Sequence, residues 1–247
     1  MEGEFFGGTS GLQIDQPKRN FPPEHSHLSR LSYYALQENS IEINSSFYKI
    51  PRVKTINRWA SEAGSGFRFT FKLWKGITHQ KNLLFRTEDV HHFMEAIWLP
   101  ETQRGCLLVQ FPPSLQVSAN PQFLELLAVA KTYDWPIAVE FRHPSWYKDD
   151  IFESLNQHQA TMVLQDMPKS ATPMEITADR LVYLRFHGPS GNYKGSYGES
   201  FLYEYASYIR EWQQEGKTVY AYFNNTAGAA LENLHFLKRC LAEQSYY

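Results

Sequence analysis

The stretch AVEFRHPSWY, residues 138–147, combines a strand pattern with polar side chains at its end. Together with Ile137, its apolar residues alternate with Glu140 and Arg142 until His143-Pro144 ends the pattern. Successive side chains of a strand point to opposite faces of the sheet. The stretch therefore predicts a strand with one apolar face under a covering layer and one face that carries a carboxylate and a guanidinium.

Similar strand patterns recur along the chain and alternate with helical patterns. The other predicted strands are 4–8, 40–44, 67–72, 106–111, 161–166, 181–187 and 218–224. Apolar spacing of three and four residues predicts helices at 27–37, 54–63, 88–97, 121–132, 151–157, 201–214 and 229–241. Residues 167–180 hold two prolines and little periodicity, which predicts an irregular connection between strands six and seven. Eight such units predict a (β/α)8 TIM barrel as a single domain over residues 1–247.

A closed barrel makes a sharper prediction about side-chain direction. The outward residues of each strand are apolar because helices cover them, and polar inward residues near the carboxyl ends form the active site. On strand six this parity groups Asp166 with Met162 and Leu164. The predicted site residues are Glu42, Asn44, Lys72, Gln110, Glu140, Arg142, Asp166, Arg185, His187, Tyr222 and Asn224.

These residue types are consistent with three kinds of function: acid–base catalysis, glycoside cleavage, and binding without catalysis. Glu140, Glu42 and Asp166 are the candidate catalytic carboxylates, with Glu140 as a base or ligand contact. Two carboxylates that flank a bond also suit glycoside cleavage. The third alternative is a scaffold or binding protein in which these charges pair with one another. The candidate substrate-binding residues are Asn44, Lys72, Gln110, Arg142, Arg185, His187, Tyr222 and Asn224.

Composition narrows the partners and the cellular setting. A net charge of -2 does not favour a nucleic-acid binder, although a local basic patch leaves nucleic acid open as a partner. The two cysteines are expected to be buried, reduced thiols. No apolar run is long enough for a membrane span and no leader pattern begins the chain, which favours a cytoplasmic protein. No cofactor or metal is expected, and His143 is expected to cap its loop.

Two glycine-containing loops leave alternatives open. GTSG, residues 8–11, either presents backbone amides to an anion or makes a tight turn. The loop GPSGNYKGSYGE, residues 188–199, either binds phosphate through Lys194 and glycine amides or forms a flexible lid. Tyr193, Tyr197 and Tyr222 could stack on a base or a sugar.

Seven ordered motifs resemble the DUF72 (YecE-like) family over nearly the whole chain. They are GTSG (8–11), EINSSFY (42–48), FRFTFKLWKGITH (67–79), VQFPPSL (109–115), AVEFRHPSW (138–146), LRFHGPSGNYKGSYGE (184–199) and YAYFNNTAGAALEN (220–233). The resemblance implies a TIM barrel and no particular activity. Leu12 follows GTSG where the family commonly has an aromatic residue, so a stacking role for that loop is not implied.

The predicted function is a hydrolase-like enzyme that binds a phosphorylated or nucleic-acid-derived ligand at the carboxyl-terminal mouth of the barrel. Lys72, Arg142 and Arg185 supply the positive charge that a phosphate or carboxylate requires. The alternatives are a glycoside-modifying enzyme with paired carboxylates and a non-catalytic ligand-binding or scaffold protein.

Overall fold

Eight parallel strands form the centre of the molecule. A computed structural model describes residues 2–243 of the chain. The hydrogen-bonded order is β1-β8-β7-β6-β5-β4-β3-β2, so each strand except the seam pair lies beside its neighbour in sequence. This arrangement is a (β/α)8 barrel, as the strand pattern predicted. The strands are β1 (Phe5–Thr9), β2 (Ser40–Ile43), β3 (Arg68–Lys72), β4 (Arg104–Gln110), β5 (Ile137–Glu140), β6 (Ala160–Gln165), β7 (Leu181–Phe186) and β8 (Thr218–Phe223).

Helices surround the barrel on its outer face. Seven of them match the predicted helices, and two single-turn helices, α2 and α4, follow strands β2 and β3. Within residues 2–243 the helices are α1 (Arg30–Ala35), α2 (Ser45–Tyr48), α3 (Val53–Ala63), α4 (Lys75–Thr78), α5 (Thr87–Ala96), α6 (Asn120–Lys131), α7 (Asp149–Gln157), α8 (Glu199–Gln214) and α9 (Ala230–Glu243).

The connection between β6 and β7 is irregular, as its prolines predicted. Its threonine side chains bond to the backbone of β6, and this anchors the segment without a helix. Thr177 Oγ1 donates to the carbonyl of Ala160 and accepts from the amide of Met162. Thr172 Oγ1 donates to the carbonyl of Val163 at 2.9 Å.

The barrel closes at a seam between β1 and β2. The strands meet there through a bridge between Ser10 and Glu42. The Asn39 side chain adds two hydrogen bonds to the backbone of β1, at 2.9 Å from the amide of Gly7 and 2.8 Å to the carbonyl of Phe5. Gly8 permits this close approach, because a Cβ atom there would lie 2.2 Å from the Ser40 carbonyl oxygen.

Side-chain parity follows the prediction on β5 and departs from it on β6. Ala138 lies in the interior cluster, whereas Ile137 and Val139 pack under the helices. On β6 the interior residue is Val163, while Met162 and Leu164 belong to the outer clusters, so the parity assigned to this strand is wrong. Apolar residues lie on both faces of β6, Val163 inside and Met162 and Leu164 outside, and Asp166, which set its predicted parity, lies beyond the end of the strand.

Both cysteines are buried, as the sequence predicted. Cys106 and Cys240 are buried and free. Cys106 points into the barrel interior, and Cys240 packs between α9 and the sheet. Within residues 2–243, every helix is too short or too polar to cross a membrane.

Candidate functional site

Glu42 and Arg185 form the innermost ion pair of the carboxyl-terminal mouth. Both side chains are fully buried. Arg185 donates from Nη2 to Glu42 Oε1 at 2.6 Å and from Nε to Glu42 Oε2 at 2.9 Å, which is the bidentate geometry that best fits guanidinium to carboxylate. Burial alone would raise the pKa of Glu42, but the charge and hydrogen bonds of Arg185, together with the hydrogen bonds from Ser10 and Tyr183, lower the pKa overall. Glu42 is therefore ionised at neutral pH.

Glu140 joins Arg185 to a second arginine. Its Oε2 accepts from Arg185 Nη1 at 2.7 Å, and its Oε1 accepts from Arg142 Nε. Burial opposes ionisation of Glu140, yet Arg142 and Arg185 hold its pKa well below the usual range. Both carboxylate oxygens of Glu140 thus accept hydrogen bonds from guanidinium groups. Glu140, which the sequence suggested as a base, therefore stays ionised at neutral pH.

His187 lies between the arginines and Asp166. Its Nε2 lies 2.9 Å from Arg142 Nη2 and 3.2 Å from Arg185 Nη1. Because both neighbours are donors, Nε2 accepts, and the ring proton belongs on Nδ1. Burial lowers the pKa of His187, with the hydrogen-bonding influence of Asp166 acting in the opposite direction. The ring is therefore neutral and orients the guanidinium groups.

Asp166 is held on the other side of His187. Its Oδ1 accepts from the backbone amide of His187 at 2.8 Å, and its Oδ2 accepts from the hydroxyl of Tyr197. His187 Nδ1 lies 3.4 Å from Oδ1 but makes no well-formed hydrogen bond within residues 2–243. Asp166 keeps part of its side chain exposed and lies at the rim, away from Glu42 and Glu140.

Lys72 is the cation of the mouth that lacks an acidic partner. At the end of β3 it is half-buried, and its Nζ lies 4.2 Å from the centre of the Phe47 ring. Within the described chain its ammonium forms neither an ion pair nor a hydrogen bond, whereas Arg142 and Arg185 both bind carboxylates. Burial, followed by the repulsion from Arg185, lowers the pKa of Lys72 to about 8.

The remaining predicted residues divide between the rim and the interior. Asn44 and Asn224 are half-exposed, and Asn44 Oδ1 is a buried acceptor with no partner within residues 2–243. Gln110 lies next to Glu140 in the β4–β5 register and donates to the carbonyl of Phe111 at 2.6 Å.

Tyr222 is fully buried, and its hydroxyl lies 2.5 Å from Ser40 Oγ and 2.8 Å from Thr70 Oγ1. Its polar group is therefore used inside the barrel.

Several residues that hold the site together were absent from the predicted set. Ser10 Oγ donates to Glu42 Oε1 at 2.7 Å, and the Tyr183 hydroxyl donates to Oε2 at 2.6 Å. Tyr183 shares the inward parity of Arg185, so the strand pattern could have identified it. Gln165 also faces inward and is paired with Arg185 in the β6–β7 register. The incorrect parity on β6 concealed it.

The GTSG loop makes a tight turn and uses its amides within the fold. The amide of Ser10 donates to Phe223 O at 3.0 Å, and that of Gly11 donates to Glu42 O at 2.8 Å. The amide of Thr9 donates to the Tyr34 hydroxyl at 2.9 Å. Gly11 has a φ of 89°, which favours glycine. The geometry thus favours the turn over an anion-binding loop.

Hydrogen bonds anchor the middle of the loop after β7 to the carboxyl end of β7 and to the loop after β8. The amide of Tyr193 donates to the carbonyl of His187 at 2.8 Å, and the carbonyl of Gly195 accepts from the Asn225 side chain at 3.0 Å. Tyr193 lies edge-on to His187 and is 42% exposed, which makes it the aromatic side chain of this loop that a ligand could contact. Lys194 is exposed.

The imidazole of His143 caps its own loop, as expected. Its Nδ1 accepts from the Ser145 amide at 3.2 Å and lies 2.9 Å from Ser145 Oγ. Across residues 2–243, no three His, Cys, Asp or Glu side chains are grouped so that they could hold a metal ion.

A separate cavity of about 380 Å³ lies at the opposite, amino-terminal end of the barrel. Charged side chains, including Arg68, Arg104 and Arg180, line it together with Trp135 and Tyr220. It contains none of the predicted site residues, and TIM-barrel active sites form at the other end. We therefore assign the candidate site to the carboxyl-terminal mouth.

The fold and the mouth together define a class: a (β/α)8 barrel whose carboxyl-terminal end is filled by a buried network of paired charges. Residues 6–246 match the family model described as "Protein of unknown function DUF72", and the chain belongs to this family. This result confirms the resemblance of the seven motifs.

Among curated relatives, the chain is 25% identical over 238 residues to UPF0759 protein YunF of Bacillus subtilis (strain 168), covering 84% of each chain. UPF0759 protein YecE of Escherichia coli (strain K12) is 27% identical over 146 residues, which span 55% of this chain and 52% of YecE.

Solved structures of the same family share the fold. A DUF72 family protein from Enterococcus faecalis V583 superposes with a TM-score of 0.80 at 23% identity, covering 96% of this chain and 95% of that one. A DUF72 family protein from Thermotoga maritima MSB8 gives a TM-score of 0.77 at 27% identity, covering 97% and 99%. The barrel architecture is therefore that of the family.

Proposed function

We propose that the carboxyl-terminal mouth binds a small anionic ligand that contains a phosphate group. The observation that carries this proposal is the isolation of Lys72: within residues 2–243 its ammonium has no acidic partner, while Glu42 and Glu140 both accept from arginines. A half-buried charge without a partner is costly unless a ligand neutralises it. Arg142 supports the proposal, because its Nη1 makes no hydrogen bond within the described residues and keeps donor capacity at the rim.

The network gives less support to the hydrolytic step that the sequence suggested. A general base must accept a proton near working pH. Glu140 and Glu42 have pKa values lowered by arginines, and all four of their oxygens accept hydrogen bonds. The same property disfavours the glycoside alternative, which requires one carboxylic acid with a raised pKa. A binding protein without catalysis is the second candidate, favoured by this complete pairing.

The test is the binding of inorganic phosphate to the full chain, measured by isothermal titration calorimetry. Lys72→Met should weaken binding at least tenfold, since a charge-assisted contact contributes about 1.5–3 kcal/mol. The matched control is Lys75→Met, because exposed Lys75 also lies over an aromatic ring, that of Tyr48, but outside the charge network. Its affinity should change less than about twofold. Equal affinities of Lys72→Met and wild type would contradict the proposal.

The same site predicts a pH dependence. Lys72 has a pKa of about 8 and is positively charged below that value. Phosphate affinity of the wild type should therefore fall between pH 7 and about 9.5, relative to Lys72→Arg, which stays charged throughout. A constant affinity ratio between the two proteins across this range would show that Lys72 does not contact the anion.

Hydrolysis of a phosphate ester distinguishes the hydrolase-like enzyme from the non-catalytic binding protein. Release of phosphate from a simple ester such as p-nitrophenyl phosphate, lost in Lys72→Met and kept in Lys75→Met, would support the hydrolase-like enzyme. Phosphate binding without turnover of phosphate esters would support the binding protein.

A further inference from the structure

Lys72 differs from Arg142 and Arg185 in that its amine can lose a proton and then react as a nucleophile. A guanidinium group stays protonated in proteins, and those of Arg142 and Arg185 are fixed by carboxylates. Among the described residues no acceptor holds the ammonium of Lys72, and its Nζ lies 4.2 Å from the centre of the Phe47 ring. Its side chain is only half-buried, so a small molecule can reach it.

The surroundings of Lys72 favour the neutral amine. Burial, and next the charge of Arg185, lower its pKa to about 8. At pH 7 about a tenth of such an amine is unprotonated, compared with less than about a thousandth for an ordinary lysine. Lysines that lie in desolvated sites or next to other cations act as nucleophiles toward carbonyl groups.

A second unsatisfied group lies beside Lys72. The β2–β3 register pairs Ile43 with Phe71, so Asn44, the first residue after β2, follows at the level of Lys72, the last residue of β3. Asn44 Oδ1 is a buried acceptor with no partner in the part of the chain that the structure describes. A buried acceptor of this kind fits a hydroxyl donor of a bound ligand.

We infer that Lys72 reacts reversibly with the aldehyde or ketone of a phosphorylated hydroxy-carbonyl compound to form an imine, with Asn44 accepting from the hydroxyl group. This inference deepens the proposed function of the same site and rests on it for the phosphate. The sugar-like ligand class follows from two groups of the mouth that have no partner within residues 2–243. They are the amine of Lys72, which matches a carbonyl carbon, and Asn44 Oδ1, which matches a hydroxyl donor.

The reaction balances without an oxidant or reductant. The lone pair of neutral Lys72 Nζ forms the C–N bond, and the carbonyl π pair moves to oxygen. The carbinolamine then takes up one proton from solvent and loses water, which leaves the protonated imine. Because that product carries one positive charge, the attraction of the mouth for an anion persists after the bond forms.

The test traps the imine by reduction with sodium cyanoborohydride at pH 7. The probe is glyceraldehyde 3-phosphate, and the reduced adduct is located by peptide mass spectrometry of the full-length protein. Lys72 should be labelled at least about tenfold faster than exposed Lys75, the internal control. Labelling of Lys72 at or below the rate of Lys75 would overturn the inference. Lys72→Arg, which keeps the charge without the amine, must lose this adduct.

Glyceraldehyde without phosphate separates this inference from the proposed anion site. With that probe Lys72 should still react faster than Lys75, but about tenfold more slowly than with the phosphorylated compound. If phosphate gives no advantage while Lys72 remains the preferred lysine, the anion site is wrong and the reactive amine stands. If inorganic phosphate binds as proposed while Lys72 reacts no faster than Lys75, the imine is wrong and the anion site stands.

The hydroxyl contact has its own readout. Asn44→Leu removes the acceptor and should lower the labelling rate of Lys72 by glyceraldehyde 3-phosphate about tenfold, while the rate with propionaldehyde, which has no hydroxyl, stays within about twofold. Equal losses with both aldehydes would show that Asn44 only shapes the loop.

Discussion

The two ends of the barrel carry the same kinds of charged side chain in opposite ways. At the carboxyl-terminal mouth Arg185 is 1% exposed and donates to two buried carboxylates. At the amino-terminal end Arg68 and Arg104 donate to backbone carbonyls, those of Glu101 at 2.6 Å and Leu99 at 2.8 Å. The difference shows that buried charges of the mouth pair with one another, whereas the arginines of the other end bind backbone carbonyls and its acidic side chain Asp134 stays exposed.

The largest effect should come from breaking the buried network at Glu42. Glu42→Gln removes the charge that faces Arg185 and leaves a buried guanidinium with a weaker partner. We expect a loss of about 3–5 kcal/mol in the free energy of unfolding, measured by urea denaturation at pH 7. Glu101→Gln, a matched change among exposed groups of the amino-terminal end, should stay within about 0.5 kcal/mol. Similar losses in the two variants would erase the contrast between the ends.

An intermediate effect should come from the interior between the two ends. Tyr222→Phe removes the hydroxyl that lies between Ser40 and Thr70 and leaves these buried groups with fewer partners. The expected loss is about 1–2 kcal/mol in urea denaturation. Tyr203→Phe, at an exposed site on α8, is the control and should change stability by less than about 0.5 kcal/mol.

The Tyr222→Phe variant also checks the predicted ligand contact. If the hydroxyl serves the barrel alone, phosphate affinity at the mouth should stay within about twofold of wild type. A loss of about tenfold or more with unchanged stability would restore Tyr222 to the set of ligand contacts.

The smallest effect should come from the amino-terminal ion pair. Asp134 is 96% exposed and lies 4.0 Å from Arg104. Asp134→Asn should change the free energy of unfolding by less than about 0.5 kcal/mol, and added salt should reduce even this difference. A loss comparable to that of Glu42→Gln would mean that exposure does not set the strength of these pairs.

The strand pattern predicted the architecture because it reports which face of each strand is covered. On β5 and β7 the alternation is strict, and it placed Glu140, Arg185 and His187 on the inner face. On β6 apolar residues lie on both faces, so parity had to be taken from Asp166, which lies on the following loop. A one-residue shift there reversed Met162 and Leu164 and concealed Gln165.

The pairing within the site could not be predicted from sequence. Side-chain parity predicts which residues face the barrel interior. Which of them are in contact depends on the level of each residue along the barrel axis and on its side-chain conformation. Arg185 joins Glu42, 143 positions away, and Glu140, 45 positions away. The isolation of Lys72 follows only once these partners are known. For the same reason the sequence could not show that Asp166 accepts from the His187 amide and from Tyr197 and binds none of the three cations.

The seam between β1 and β2 gives the charge network a role in assembly. Ser10, just beyond β1, donates to the same carboxylate that Arg185 grips from β7. Glu42 has this donor only where β1 and β2 meet, so the complete mouth requires the closed ring. A ligand that requires the complete mouth binds only the closed barrel. Its binding therefore stabilises the closed barrel against opening at the seam.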